Sequence, residues 1–179
     1  MTIFYRTKFS DYYLLEKIRA VALTAREPDP AAQRIVNLVH DAFDHFSWTG
    51  LYLRRARSLL LAFHRGADAI PPEPSEPFDG LLGWAVRSRR TQILPGAATD
   101  PRYARIEIPI QSEIVVPIKV RNRSVGLLDI CSGRPGAFSR VDVDFLGEAA
   151  DLLAPLVQAL AERSAETPEV ETLRRAFSA

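Results

Sequence analysis

The chain has 179 residues, 47% hydrophobic and 25% charged, with a formal net charge of +1. That suits a single domain with a substantial core, and the near-neutral charge gives no general attraction to nucleic acid or to an anionic membrane. One cysteine excludes an internal disulfide and an all-cysteine metal site, and no apolar run reaches the roughly 18 residues of a bilayer span. The opening MTIFYRTKFSDYY carries charges inside its apolar run and no small-residue cleavage pattern. It is not expected to be a signal peptide, and a cytoplasmic protein is the expectation.

In chain order, Ser10 to Ala25 predicts a helix, with Ser10 as N-cap and Leu14, Leu15, Ile18, Val21 and Ala22 at helical spacing. REPDP interrupts it, since proline lacks an amide donor. Asp29 before Pro30 predicts the cap of a second helix, Ala31 to Phe46. From Ser47 the pattern alternates. SWTGLYLRR and RSLLLAFHRG predict a hairpin around Arg55–Arg57, with Trp48, Gly50 and Tyr52 on one face. ADAIPPEPSEPF is a proline-rich loop. FDGLLGWAVRSRR predicts a short helix capped by Asp79, with the cations of Arg87–Arg90 at its negative dipole end, and TQIL predicts a brief strand. PGAATDPRYARIEIPIQ is a long irregular connection, the kind of segment where binding occurs.

SEIVVPIKVRNRSVGLLDICS predicts a second hairpin turning at Arg121–Asn122, its strands apolar on both faces and so covered on both sides. Ser139, with Asp142 three residues on, predicts the cap of a long helix to about Arg163, with Pro155 as a point of bending. The sum is an α+β domain. It has a central antiparallel sheet of about five to six strands, long N- and C-terminal helices on one face, and a short helix with loops forming a ligand pocket on the other. The expected division is a helical extension over 1–29, the domain over 30–164 and a tail over 165–179.

The segments SWTGLYL, FDGLLGWAVRSRRTQIL, DPRY, SEIVVPI and VGLLDI, followed by a long helix, resemble a GAF domain over about residues 30 to 162. The resemblance implies a pocket on the sheet face opposite the terminal helices, walled by the short helix and long loops. Within that family the sequence is most similar in function-bearing residues to the free methionine-(R)-sulfoxide reductases. Trp48 and Tyr52 match their W-x-G-x-Y, Glu113 their S-E-hydrophobic-V-P, and Asp129 the first aspartate of their L-D-I-D-S. The resemblance implies carboxylates for an ammonium and aromatics for an apolar end, which is sound chemistry for holding an amino acid.

The departures are in the thiols. The resembled enzymes carry a nucleophilic cysteine in the loop before S-E and resolving cysteines upstream, and this chain has neither. Cys131 stands where their second aspartate would be. Sulfoxide reduction through a sulfenic acid needs a thiolate at the substrate and a second thiol to resolve it, so Cys131 cannot run that cycle alone.

Each candidate also has a plain packing role. Asp129, in an apolar strand, must be paired, hydrogen-bonded or at a ligand site. Glu113 shares its face only if the hairpin carries a bulge, expected at Pro117, because a regular ladder from a Val120–Arg123 closing pair puts the two on opposite faces. Trp48, Tyr52 and Trp84 are either pocket wall or core. The amides of Gly80, Leu81 and Leu82 open the short helix, where an anionic group is favoured. His40 and His45 point about 140° apart on a helix, and His64 is on a strand, so no metal site is expected.

The leading expectation is a non-catalytic GAF-type sensory domain that uses no cofactor. It would bind a small polar or anionic metabolite through Trp48, Tyr52, Gly80, Leu81, Leu82, Trp84, Glu113, Asp129 and Cys131. It would signal to an unidentified partner through a homodimer of its N- and C-terminal helices. Two alternatives stay open: a sulfoxide reductase using an external thiol, and a dimerisation scaffold with a closed pocket.

Overall fold

A computed structural model describes residues 8–56, 58–66, 80–97 and 110–166. Asp79, the proline-rich stretch, the DPRY segment and the tail from Thr167 lie outside these. The elements are α1 (Lys8–Thr24), α2 (Pro28–His40), β1 (Trp48–Arg54), β2 (Leu59–Gly66), α3 (Gly80–Ser88), β3 (Gln92–Leu94), β4 (Ser112–Val120), β5 (Arg123–Ser132) and α4 (Arg140–Glu166).

The helix boundaries differ from expectation in instructive ways. Helix α1 begins at Lys8, so Ser10 lies within its first turn rather than at its cap. Helix α2 starts at Pro28 after Glu27 rather than after Asp29, because either proline of PDP suits a first turn. It stops at His40, and the next residues turn to bring Phe43, His45 and Phe46 against Phe138 and Phe145. Ring centroids of Phe43 and Phe145 are 5.1 Å apart at 88°, an edge-to-face contact that a continued helix would not make. Helix α4 starts as the sequence predicts. Asp142 accepts from the Ser139 backbone N–H at 2.7 Å and from its hydroxyl at 2.6 Å, holding the chain at the helix entry.

The sheet has five strands in the order β2-β1-β5-β4-β3, every neighbouring pair antiparallel. One face packs on α1, α2 and α4 through Leu51, Leu53, Ile114, Val116, Ile118, Leu128 and Ile130, which meet Ile18, Ile35, Leu146, Leu153 and Val157. The other packs on α3 through Trp48, Tyr52, Val115, Leu127 and Cys131, which meet Leu81, Ala85 and Val86. Gly126 sets how closely α4 approaches. A Cβ there would stand 2.7 Å from Val157 Cγ1 and 2.4 Å from the Tyr52 carbonyl oxygen.

The β4–β5 hairpin closes at Arg121 and Asn122, with φ of 47° and 62°, the left-handed pair of a two-residue turn that follows the strand twist. Val120 pairs with Arg123 and Lys119 with Ser124, but Ile118 pairs with Gly126. Val125 is thus the extra residue of a bulge. It lies in β5, not at Pro117, which pairs regularly with Leu127. Proline did not have to force the break, since one unpaired residue on either strand moves all later residues to the other face.

Candidate functional site

That bulge builds the site. With the register moved by one, Glu113 stands opposite Cys131 and Val115 opposite Asp129, so both carboxylates face α3. Side chains on this face form rows across the strands. One row runs Trp48, Cys131, Glu113, Leu94, and the next runs His64, Gly50, Asp129, Val115, Gln92. Gly50 leaves space between His64 and Asp129, and the Trp48 indole fills it: a Cβ on Gly50 would lie 2.1 Å from the ring's Cη2. The indole stacks on His64 at 6.4 Å and 21°, and lies 6.5 Å from the Tyr52 ring.

Trp48, Tyr52, Glu113, Asp129 and Cys131 are all buried, each 1% exposed or less. The Trp48 indole N–H is buried without an acceptor among the described residues. Burial pushes the Asp129 carboxyl up to about 7, and the hydrogen bond with Glu113 acts in the opposite sense. The cost of an unsolvated charge outweighs that bond, so the Asp129 carboxyl holds its proton to a higher pH than an ordinary carboxylate. Burial also pushes the Cys131 thiol well up, and the Asp129 and Glu113 carboxylates push it further. At neutral pH it is a thiol, a poor nucleophile.

The ligating atoms of Glu113, Asp129 and Cys131 lie within 4.8 Å of one another, so a positively charged group placed among them would meet two carboxylates at once. Among the described residues no histidine joins that cluster. His40 Nδ1 lies 3.3 Å from the Thr49 hydroxyl, and His45 sits 3.3 Å from Asp142 at the start of α4.

The remaining candidates are divided. Leu81 is buried in the α3 layer, Leu82 packs against it half-buried, and Gly80 opens α3 exposed. Trp84 is 56% exposed, on the same side of α3 as Gly80 and Arg87, and makes no part of the buried wall. His64 was not singled out from sequence. Alternation along β2 would not have found it, since only the unpaired Ala62 moves His64 onto the face of the carboxylates, beside Gly50.

No helix among the described residues is long and apolar enough to cross a membrane. Comparisons with known proteins agree with the architecture. The chain is 29% identical over 151 residues to Protein YtsP of Bacillus subtilis, covering 82% of this chain and 90% of that one. A solved type II free methionine-R-sulfoxide reductase from Thermoplasma acidophilum is 28% identical with a TM-score of 0.66, covering 82% of this chain and 95% of the other. The GAF domain of an Acinetobacter phosphoenolpyruvate-protein phosphotransferase superposes with a TM-score of 0.73 over 88% of this chain and 97% of its own. At 20% identity that shows the shared fold alone. The model of the GAF domain family matches residues 25–158, from the start of α2 almost to the end of α4, and the chain belongs to that family.

Proposed function

We propose that this chain is a non-catalytic regulatory GAF domain that binds a small metabolite between α3 and the sheet. The metabolite's positively charged group would meet Glu113 and Asp129, and its apolar part Trp48 and Tyr52. The observation that carries the reading is the fully buried Glu113–Asp129 pair, with Asp129 held up to about 7. A protein that keeps two carboxylates together in an apolar layer bears a desolvation cost that a cationic ligand relieves. The first turn of α3, Gly80 to Leu82, is the element suited to an anionic end of the same molecule, such as the carboxylate of an amino acid.

A reductase using an external thiol is the competing reading, favoured by the similarity to the Thermoplasma enzyme. The state of Cys131, the chain's sole thiol, buried and raised in pKa, supports the non-catalytic reading instead. The regulatory role includes a homodimer through α1 and α4 in a reducing cytoplasm, with a signalling partner reached through those helices. Its support is the exposure of three large apolar side chains on α1, Tyr12, Tyr13 and Leu23, at 61–79%.

The test is a thermal-shift and native mass spectrometry screen of free amino acids, methionine sulfoxide included, against the wild type and Asp129→Asn. At least one amine-bearing compound should raise the wild-type midpoint and lose its effect in Asp129→Asn. A flat response to every amine would remove the reading. Turnover of free methionine sulfoxide with dithiothreitol, abolished by Cys131→Ser, would replace it with the enzyme.

A further inference from the structure

The helix side of the sheet holds a concavity, distinct from the carboxylate site. At the outer edge of β2 a cavity of about 410 Å³ opens between that strand, the start of α2 and the end of α4. Its floor is apolar, made by Leu60, Ala62, Phe63 and Leu160. The β-bulge between β1 and β2 contributes: Leu51 pairs with Phe63 and Tyr52 with Leu61, leaving Ala62 unpaired at the cavity.

The rim is polar and carries more positive than negative charge. Arg163 is engaged by Asp29, which ties the end of α4 to the first turn of α2. Arg55 is not so engaged. One of its Nη groups donates to the Ser164 hydroxyl, and its Nε is buried with no acceptor among the described residues. A guanidinium carries five N–H donors, so beside its bond to Ser164 the group can still hold a carboxylate in the cavity through a charge-assisted, in-plane pair. An apolar floor below a cation with a spare donor selects an amphipathic anion over a sugar or a polyphosphate. The volume is within the range of small-molecule sites.

We propose that this cavity binds a small monocarboxylate with an apolar body. Its carboxylate is held by the Arg55 guanidinium and the Ser164 hydroxyl, and its hydrocarbon part lies on Leu60, Phe63 and Leu160. Because the walls come from the sheet edge and from the ends of two helices, an occupant braces the helical layer against β2. The site is independent of Glu113 and Asp129.

The experiment titrates the full chain with octanoate, using 1-octanol and octylamine as probes of equal chain length, by isothermal calorimetry and thermal shift. Octanoate should bind saturably and raise the midpoint. Octanol and octylamine should bind at least about tenfold more weakly, the discrimination expected of one charge-assisted pair. Arg55→Gln and Ser164→Ala should each weaken octanoate by several-fold or more while leaving octanol unchanged, and Asp129→Asn should leave octanoate binding intact. The proposal is overturned if octanoate fails to saturate, if octanol equals it, or if Arg55→Gln binds it as well as the wild type. Circular dichroism checks each variant's fold, and should Arg55→Gln not fold, Ser164→Ala and the octanol comparison decide.

Discussion

Asp129 is the residue on which the chemistry of the α3 side turns. Its native carboxyl titrates near 7 because burial disfavours the anion more than the Glu113 hydrogen bond favours it. The unfolded chain releases this proton near pH 4, so between about pH 4 and 7 the native state holds more protons than the unfolded one. This contribution to stability is therefore complete in acid and is lost as the pH rises through 7. Urea unfolding of the wild type from pH 5 to 8 should show that decline, and Asp129→Asn should flatten it. The variant should be the more stable protein at pH 8 and should lose that advantage in acid. A parallel slope in both proteins would show that Asp129 does not titrate in this range. Both carboxylates could be named from the sequence as polar residues in apolar strands. Their meeting could not, because it depends on a single unpaired residue, Val125, in a ladder whose closing turn gives no sign of it.

Turns and close approaches govern the elements. Arg89 follows α3 at φ 58°, its backbone N–H reaching the Ala85 carbonyl at 2.9 Å, a left-handed helix stop occupied by a residue with a Cβ. Arg89→Gly should stabilise the protein by about 1 kcal/mol, read as a higher urea midpoint at unchanged slope. Gly126 works in the opposite sense. It lies where Val157 of α4 presses on the sheet, and Gly126→Ala should cost about 1–3 kcal/mol through overpacking, with a matching fall in melting temperature. Element identity was legible from hydrophobic period and caps, as Ser139 and Asp142 at α4 illustrate. Element ends were less so. PDP offers two equivalent starts for α2, and its stop at His40 is decided by ring contacts with Phe145, more than a hundred residues away.

At the scale of the molecule, the sheet separates two apolar layers of different purpose. The helix side is continuous and mainly apolar, without a buried carboxylate pair among the described residues, and α1 joins it through Leu15 and Ile18. Ile18→Ala should therefore cost about 2–4 kcal/mol, and should speed amide exchange in α1 more than in β4 and β5 if that helix opens as a unit. Uniform acceleration across the chain would instead make α1 part of the global folding unit. The α3 side admits the two carboxylates and the thiol into an otherwise apolar layer. Periodicity, capping residues and composition determined by themselves the order of elements, the antiparallel sheet and the two-sided burial of β4 and β5, while the family rested on the resemblance of motifs such as SWTGLYL and SEIVVPI. The first three follow from local chain preferences and from which residues water excludes. Only the tertiary structure decided that Glu113 and Asp129 share a face, that Trp48 folds over Gly50 between His64 and Asp129, that Trp84 points outward, and that Arg55 meets Ser164. Each of those depends on a register or a contact between distant segments. One inserted residue in a strand reverses every side chain beyond it, and no local propensity records which way that falls.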